Sequence, residues 1–175
     1  MTHPTIWIPP PKGIIKINVD ITFTAATSPI GIGYLMRDSD GLLLFAGTES
    51  DNAGNVEEGE CRGVLAAVRK GIELRLKDVE VEMDCKGAAD YLQGKNANLS
   101  WTATNILDQV IYLASMFNSV AFYFCHRTGN GNGPAHILAF KANISSSIAY
   151  SYSTIPEGLN SQLSLDLLLC NMANL

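Results

Sequence analysis

The chain has 175 residues, of which 47% are hydrophobic, and this length and composition fit one folded domain with a sizeable core. It contains no run of about 18 apolar residues, which argues against a membrane span. Seventeen acidic against twelve basic residues give a formal net charge of −5, and this balance argues against strong nonspecific binding to nucleic acid, which depends on Lys and Arg.

Residues 1–13 predict an extended lead-in, because the prolines at 9–11 remove amide donors and block a helix. The same segment lacks the basic and apolar regions of a secretory signal. We therefore expect an intracellular protein, in the nucleus or the cytoplasm. The four cysteines are widely spaced and form no Cys-x-x-Cys pair, which indicates reduced, mostly buried thiols.

A meander of three antiparallel strands is predicted next. The first strand covers about 14–24, and its apolar and polar residues alternate. The second and third strands, at 30–37 and 42–48, flank an Asp-Ser-Asp-Gly sequence that is typical of a turn.

Three acidic residues recur in matching settings along this part of the chain. Asp20 closes the polar face of the first strand, and Asp84 closes a similar alternating strand at 79–84. Between them a helical stripe over 55–76 places Glu60 one turn before its first apolar residue. Strand, helix and strand in this order form a βαβ unit, so both aspartates should reach the same edge of the sheet. Three negative charges converging there predict a site for cations.

The second half of the chain completes an α/β pattern. A short helix at 88–93 and a longer one at 101–117 precede a fifth strand at 120–125. After the glycine-rich segment 129–133, a last helix begins near Pro134, a residue well placed in a first helical turn. The predicted fold is α/β, with a five-stranded mixed sheet of three antiparallel and then two parallel strands, flanked by helices.

We divide the chain into a lead-in over 1–13, a domain over 14–147 and a C-terminal tail over 148–175. The tail carries a late apolar patch at 163–169, for which two interpretations stay open. In the first and favoured interpretation, the patch packs back on the domain. In the second, it forms a helix that binds a protein partner.

Two further features have simple structural interpretations. Trp7 and Trp101 are expected to pack in the core or at its edge. The Gly31-x-Gly33 pair falls inside a strand of the meander rather than between a strand and a helix, so it does not indicate a nucleotide-binding loop.

Several spaced motifs follow one another in a fixed order along the chain. They are Trp7-x-Pro9-Pro10-x-x-Gly13-x-x-Lys16-x-Asn18-x-Asp20, Gly31-x-Gly33, Arg37-Asp38-x-x-Gly41, Glu60, Glu82-x-Asp84 and Asn132-x-x-Ala135-His136-x-Leu138-Ala139. In this order they resemble the ribonuclease H-like domains that are abundant in plant genomes and related to retroelement reverse-transcriptase polyproteins. The resemblance covers residues 7 to about 159.

The resemblance implies hydrolysis of the RNA strand of an RNA/DNA hybrid with two divalent ions, Mg²⁺ or Mn²⁺, and therefore a nucleic-acid partner and no membrane. Asp20 would bridge both ions, while Glu60 and Asp84 would each complete the ligands of one. One ion lowers the pKa of the attacking water, and the other stabilises the leaving 3′ oxygen. Glu60 matches the family's helix glutamate better than Glu58 does, and Glu57 is the fallback.

Some positions depart from the family pattern. His136 stands where an active ribonuclease H has a fourth acid, and imidazole binds Mn²⁺, Fe²⁺ or Zn²⁺ better than Mg²⁺, so the second ion would be held more weakly or be a different metal. Ile21 replaces a small residue and is expected to crowd the RNA backbone. His126 aligns with a mobile histidine that shuttles protons, although Arg127-Thr-Gly-Asn130 fits the plant signature there, and a surface role is equally open.

Lys86 and Arg127 are candidate phosphate contacts, and Asn132 is a candidate substrate contact that also suits a turn or a helix entry. Two functions stay open. The first is a metal-dependent ribonuclease acting on hybrids, with its activity weakened by His136. The second is a catalytically weak or inactive domesticated domain that binds nucleic acid or a protein, which the acidic balance, His136 and Ile21 favour.

Overall fold

The structure, a computed structural model, describes residues 6–126, 130–145, 150–152 and 158–173. Its elements in chain order are β1 (Ile15–Thr22), β2 (Ile30–Arg37), β3 (Leu43–Asp51), α1 (Val56–Glu73), β4 (Asp78–Met83), α2 (Lys86–Leu92), α3 (Trp101–Ala114), β5 (Ser119–Phe124), a 3₁₀ turn (Asn130–Asn132), α4 (Gly133–Ser145), β6 (Tyr150–Tyr152) and α5 (Leu159–Ala173). Within these ranges, every helix is too short or too polar to cross a membrane.

The strands form one sheet in the order β5-β4-β1-β2-β3-β6. β1, β2 and β3 pair antiparallel, and β4 pairs parallel with both β1 and β5. The predicted α/β fold with three antiparallel and two parallel strands is confirmed. The short strand β6 pairs antiparallel with β3 and adds an edge strand that the sequence did not predict.

Helix α1 packs on one face of the sheet, against the apolar side of β1. Asn55 caps this helix, since its side chain accepts a hydrogen bond from the backbone N of Glu58 at 2.9 Å. A Cβ at Gly63 would lie 2.6 Å from Ile21 Cγ2, so glycine permits the close approach of helix and strand. Ile21 is 2% exposed in this core, and the expectation that it crowds an RNA backbone is therefore wrong.

Helix α4 covers the opposite face of the sheet, and α5 packs beside it. A Cβ at Gly33 in β2 would lie 2.2 Å from the backbone N of Ala139, so only glycine fits beneath α4. Leu159 and Leu163 of α5 join a second apolar cluster that includes Leu35. The described part of the tail thus packs back on the domain.

The polar side of β1 is buried beneath these helices in a network of charged and amide groups. Lys16 Nζ donates to Glu82 Oε1 at 2.5 Å, and Asn18 Nδ2 donates to Glu82 Oε2 at 2.9 Å. Arg37 Nη2 donates to Asn18 Oδ1 at 3.2 Å. Arg37 Nη1 donates to Asp166 Oδ2 at 2.7 Å, which ties α5 to the centre of the sheet.

The two tryptophans occupy opposite environments. Trp7 is fully buried, and the guanidinium carbon of Arg37 lies 3.9 Å from its ring centroid, so the expectation of core packing is confirmed for Trp7. Trp101, the first residue of α3, is 80% exposed, and the same expectation is wrong for it. Its position shares a helix face with Thr104 and Asp108 rather than with the buried stripe of α3.

Candidate metal centre

Asp20, Glu60 and Asp84 meet at one edge of the sheet. Each offers an oxygen, and these oxygens all lie within 4.8 Å of one another. Asp20 lies near the end of β1 and Asp84 follows the last residue of β4, and the parallel pairing of these strands brings both to the same edge. Glu60 reaches the cluster from the first turns of α1.

The cluster is largely shielded from water. Asp20 is 2% exposed and Glu60 is 7% exposed, while Asp84 is half-buried. Asp20 Oδ1 accepts a hydrogen bond from the backbone N of Ile21 at 2.8 Å, which orients this carboxylate. Carboxylates that are this close and this buried repel one another, and a bound cation stabilises such an arrangement.

The three glutamates at the start of α1 have different partners. Glu57 accepts a hydrogen bond from a backbone amide at the N-cap of α3. Glu58 accepts hydrogen bonds from the backbone N of Gly54 and from the Arg62 guanidinium, and these bonds lower the pKa of Glu58. Of the three, it is Glu60 that the structure groups with the two aspartates.

His136, in the first turn of α4, contacts the cluster directly. Its Nδ1 lies 2.7 Å from Asp20 Oδ2, and its side chain is 54% exposed. An ionised carboxylate can only accept, so in this arrangement Nδ1 is the donor to Asp20. A ring nitrogen that donates to Asp20 cannot at the same time bind an ion held by Asp20, so His136 becomes a nitrogen ligand there only when its ring turns a lone pair toward the ion. His136 thus lies beside the carboxylates, while the oxygens within 4.8 Å of one another are those of Asp20, Glu60 and Asp84.

Three carboxylate oxygens with a neighbouring imidazole suit a small divalent cation. Mg²⁺ holds oxygen ligands at about 2.0–2.1 Å, so two ligands on opposite sides of the ion lie about 4.2 Å apart. The oxygens of Asp20, Glu60 and Asp84, all within 4.8 Å, need only small side-chain movements to reach such a shell. Carboxylate oxygen suits Mg²⁺ and Mn²⁺ alike, whereas the imidazole favours Mn²⁺.

Three other predicted site residues are Lys86, His126 and Arg127, of which the structure describes the first two. Lys86, just after β4, has a 67% exposed side chain and pairs with Asp90 at 2.5 Å. His126 follows β5, is exposed, and packs edge-on against Phe124 with 4.8 Å between ring centroids. Arg127 lies outside the described residues.

Asn132 is buried at the start of α4 and makes a structural contact. It is 4% exposed, and its Nδ2 donates to the backbone O of Val19 at 2.8 Å. This bond ties the 3₁₀ turn to β1 immediately beside Asp20. A contact between Asn132 and a substrate stays a prediction.

The sequence did not identify the buried network that supports this edge from beneath. Arg37 and Asp166 pair across 129 positions of the chain, a distance that no local pattern reveals. One signal was available, because Asp166 is the only charged residue in α5. An isolated acid in such a helix indicates a buried cationic partner.

Comparison with known proteins gives consistent results. A family model described as reverse transcriptase-like matches residues 18–142. A comparison with curated proteins found no match. The N-terminal ribonuclease H domain of a Mycobacterium tuberculosis protein is a similar solved structure, with a TM-score of 0.67 and 21% sequence identity over 76% of this chain and 95% of that one. Ribonuclease H1 of Halobacterium salinarum has a TM-score of 0.69 and 16% identity over 77% of this chain and 99% of that one. LC11 ribonuclease H1, isolated from compost and solved in complex with an RNA/DNA hybrid, has a TM-score of 0.67 and 20% identity over 75% of this chain and 98% of that one.

Proposed function

The chain belongs to the reverse transcriptase-like family, and from this premise we propose that it is a ribonuclease H-type endonuclease that hydrolyses the RNA strand of RNA/DNA hybrids. The observation that carries the proposal is the meeting of Asp20, Glu60 and Asp84 within 4.8 Å. The hybrid in the complex of LC11 ribonuclease H1, a protein of the same fold, supports the choice of substrate.

In this proposal Asp20 would be shared by two divalent cations, Mg²⁺ or Mn²⁺, and Glu60 and Asp84 would each complete the ligands of one. His136 would join the second ion by turning a ring lone pair toward it in place of its hydrogen bond to Asp20. When bound, such ions lower the pKa of an attacking water and stabilise negative charge on the leaving oxygen. Because His136 replaces a fourth acid, the second ion is held more weakly when it is Mg²⁺.

The residues around the cluster fix its geometry before any ligand binds. The backbone N of Ile21 and the ring of His136 contact the two oxygens of Asp20, so the carboxylate shared by both ions has one orientation. Asn132 bonds the backbone of Val19, which holds the start of α4 beside the end of β1. A preorganised ligand set loses less free energy on binding the ions and the scissile phosphate.

Lys86 is the described cation that we assign to phosphate binding. It lies two residues after Asp84, and its side chain is 67% exposed. Its pair with Asp90 is exposed to solvent, and such pairs contribute about 0–1 kcal/mol, so a phosphate can replace Asp90 as partner at little cost. A local cation of this kind offsets the unfavourable net charge of −5.

A second candidate function is favoured by His136, which departs from the four-acid pattern. The chain would then bind nucleic acid through the same edge without turnover. Both functions require nucleic-acid binding, and they differ in hydrolysis.

Cleavage of a labelled RNA/DNA hybrid in Mg²⁺ or Mn²⁺ tests the proposal. Loss of a residue that only supports a metal ligand costs up to about 100-fold in activity. Because Asp20 is itself a proposed ligand, we expect Asp20→Asn to lower the cleavage rate by more than that. The exposed turn variant Asp40→Asn is the matched control and should cleave like the parent protein. Equal traces of cleavage by the parent and Asp20→Asn indicate contamination and overturn the enzyme in favour of the second candidate.

Thermal unfolding with and without Mn²⁺ tests the metal centre independently of hydrolysis. An ion that binds only the folded state at 100 times its dissociation constant stabilises the protein by about 2.7 kcal/mol. We expect that increase in the parent protein and its loss in Asp20→Asn. An unchanged midpoint at millimolar Mn²⁺ overturns the proposed centre.

A further inference from the structure

Trp101 is a surface residue that the proposed function leaves unused. Among the residues that the structure describes, its 80% exposure exceeds that of Tyr112, the next most exposed large hydrophobic side chain at 70%. An indole usually contributes the burial of 150–250 Å² of surface, so an exposed tryptophan gives up a large packing contribution. Trp101, the first residue of α3, therefore presents an aromatic ring to solvent instead of packing in the core.

One contact places Trp101 beside the candidate metal centre from the side of α1. The backbone N of Ser100 donates to Glu57 Oε2 at 3.1 Å. Glu57 precedes Glu60 by three residues, and the helical rise of 1.5 Å per residue puts them about 4.5 Å apart along the axis. The start of α3 is thus anchored one helical turn from a carboxylate of the centre.

A second contact places the same segment from the side of α2. A Cβ at Gly87 would lie 3.0 Å from Leu99 Cδ2, so the residue two positions before Trp101 packs on α2. Gly87 follows Asp84 by three residues. The start of α3 is therefore held between segments that lead to Glu60 and Asp84, and Trp101 lies at the carboxylate edge of the sheet.

The backbone that carries Trp101 is well fixed. Ser100 Oγ accepts from the backbone N of Ala103 at 3.2 Å, which caps α3. Thr104 Oγ1 donates to the backbone O of Trp101 at 2.9 Å. The indole therefore stands on a formed helical turn, and binding a ligand there requires no ordering of the chain.

We infer that Trp101 stacks on an unpaired nucleotide of a strand that extends from the hybrid bound at the carboxylate edge, an inference that rests on the proposed function. A flat uncharged ring recognises the π-face of any base, but paired bases hide their faces within the stack, so the occupant is single-stranded. The first turn of α3 itself contains no acidic residue, but the Glu57 carboxylate lies beside it at Ser100, so the indole is expected to contact the base rather than the phosphate of the nucleotide.

Intrinsic fluorescence provides a direct test, since the chain has two tryptophans and Trp7 is fully buried. Binding is measured on Asp20→Asn protein, so that hydrolysis does not consume the ligand. The probes are a blunt RNA/DNA hybrid and the same hybrid with a single-stranded DNA extension of about five nucleotides. We expect the extended hybrid to quench the emission of Trp101 and to bind more tightly than the blunt one.

Adding Trp101→Ala should weaken binding of the extended hybrid about tenfold and change binding of the blunt hybrid less than about twofold. The matched control is Tyr112→Ala, since Tyr112 is 70% exposed on the same helix but lies about 16 Å further along its axis. That control should bind both probes like Asp20→Asn alone. Equal affinity for the extended hybrid with and without Trp101, or an equal loss in Tyr112→Ala, overturns the inference.

The outcomes also separate this inference from the proposed function. Cleavage of blunt hybrid by the parent protein, together with no effect of Trp101→Ala on the extended probe, refutes the stacking role and leaves the enzyme standing. Binding of the extended probe through Trp101 without cleavage by the parent protein supports the stacking role and refutes the enzyme. Failure of both probes to bind, together with no cleavage of blunt hybrid by the parent protein, overturns both.

Discussion

The polar side of β1 leads from one group of buried charges to another, and the two groups differ in composition. In the first, beneath α5, Arg37 and Asp166 carry opposite charges 2.7 Å apart and are almost completely buried. In the second, two residues beyond Asn18, Asp20 joins two further carboxylates within 4.8 Å. The first group is neutral by itself, whereas the second is built of acidic groups, whose charge the proposed cations would balance.

The difference separates a cluster that holds the fold together from the one that we propose binds ions. Burial lowers the pKa of Arg37 and raises the pKa of Asp166, so for both residues the loss of hydration outweighs the attraction of the partner. An ion pair of this kind contributes little net free energy of folding while both partners are present. The Arg37–Asp166 pair determines where α5 packs, whereas the carboxylates of Asp20, Glu60 and Asp84 form the proposed metal centre.

The largest expected effect comes from breaking the neutral group. Asp166→Asn leaves the Arg37 guanidinium buried without a counter-charge, and we expect a loss of about 3–5 kcal/mol in the free energy of unfolding. Urea denaturation measures this change. The variant should retain its Mn²⁺-dependent stabilisation wherever it remains folded, because Asp166 is not a ligand of the proposed centre.

The control for that prediction replaces both partners. Arg37→Met combined with Asp166→Leu removes the two charges together, and such replacements are commonly neutral or stabilising by about 1–4 kcal/mol. A double variant as unstable as Asp166→Asn would show that the hydrogen bond of Arg37 to Asn18, rather than its charge balance, stabilises the sheet at this point.

His136 offers a smaller and more specific change, within the like-charged group. His136→Asp adds a fourth carboxylate beside Asp20, and because Mg²⁺ prefers oxygen to imidazole, Mg²⁺-supported cleavage should rise about tenfold. The rise in unfolding temperature that Mg²⁺ produces should increase as well. Without metal, the added charge should lower the stability of the protein through repulsion.

His136→Asn is the matched control for this effect, since it supplies an amide oxygen without the charge. It should improve Mg²⁺-supported cleavage less than His136→Asp does, and in the absence of metal it should lower stability less than His136→Asp does, because both variants lose the contact of the ring with Asp20 and only the second adds charge. Unchanged or slower Mg²⁺-supported cleavage by His136→Asp would contradict the assignment of His136 to the second ion.

The sequence predicted the sheet and the grouping of acids because both follow from local patterns joined by one topological rule. Alternation in β1 and β4, the helical stripe after Glu60 and the βαβ connection sufficed to bring Asp20 and Asp84 to one edge. The same patterns could not reveal the burial of the polar side of β1, because that depends on distant segments, namely α4, the 3₁₀ turn and the N-terminal lead-in, which pack over it. They also failed for Trp101, since hydrophobicity alone does not tell which face a first helical residue occupies.

The smallest expected effect separates Glu58 from Glu60 at the start of α1. Glu58 accepts hydrogen bonds from Gly54 and Arg62, so Glu58→Gln should cost about 0.5–1 kcal/mol at neutral pH and leave the Mn²⁺-dependent stabilisation intact. Glu60→Gln should remove that stabilisation without lowering the stability of the metal-free protein.

The pH dependence of the Glu58→Gln effect provides a further check. Hydrogen bonds hold the pKa of Glu58 below its ordinary value, so its contribution is fully present above about pH 4.3 and disappears as the pH falls through the lowered value. Urea denaturation of the parent and Glu58→Gln should therefore give different stabilities at pH 7 and converge in acid. A stability difference that persists in acid would mean that the hydrogen bond from Gly54 does not depend on the charge of Glu58. Loss of the Mn²⁺-dependent stabilisation in Glu58→Gln would show that Glu58, rather than Glu60, is the ligand from α1.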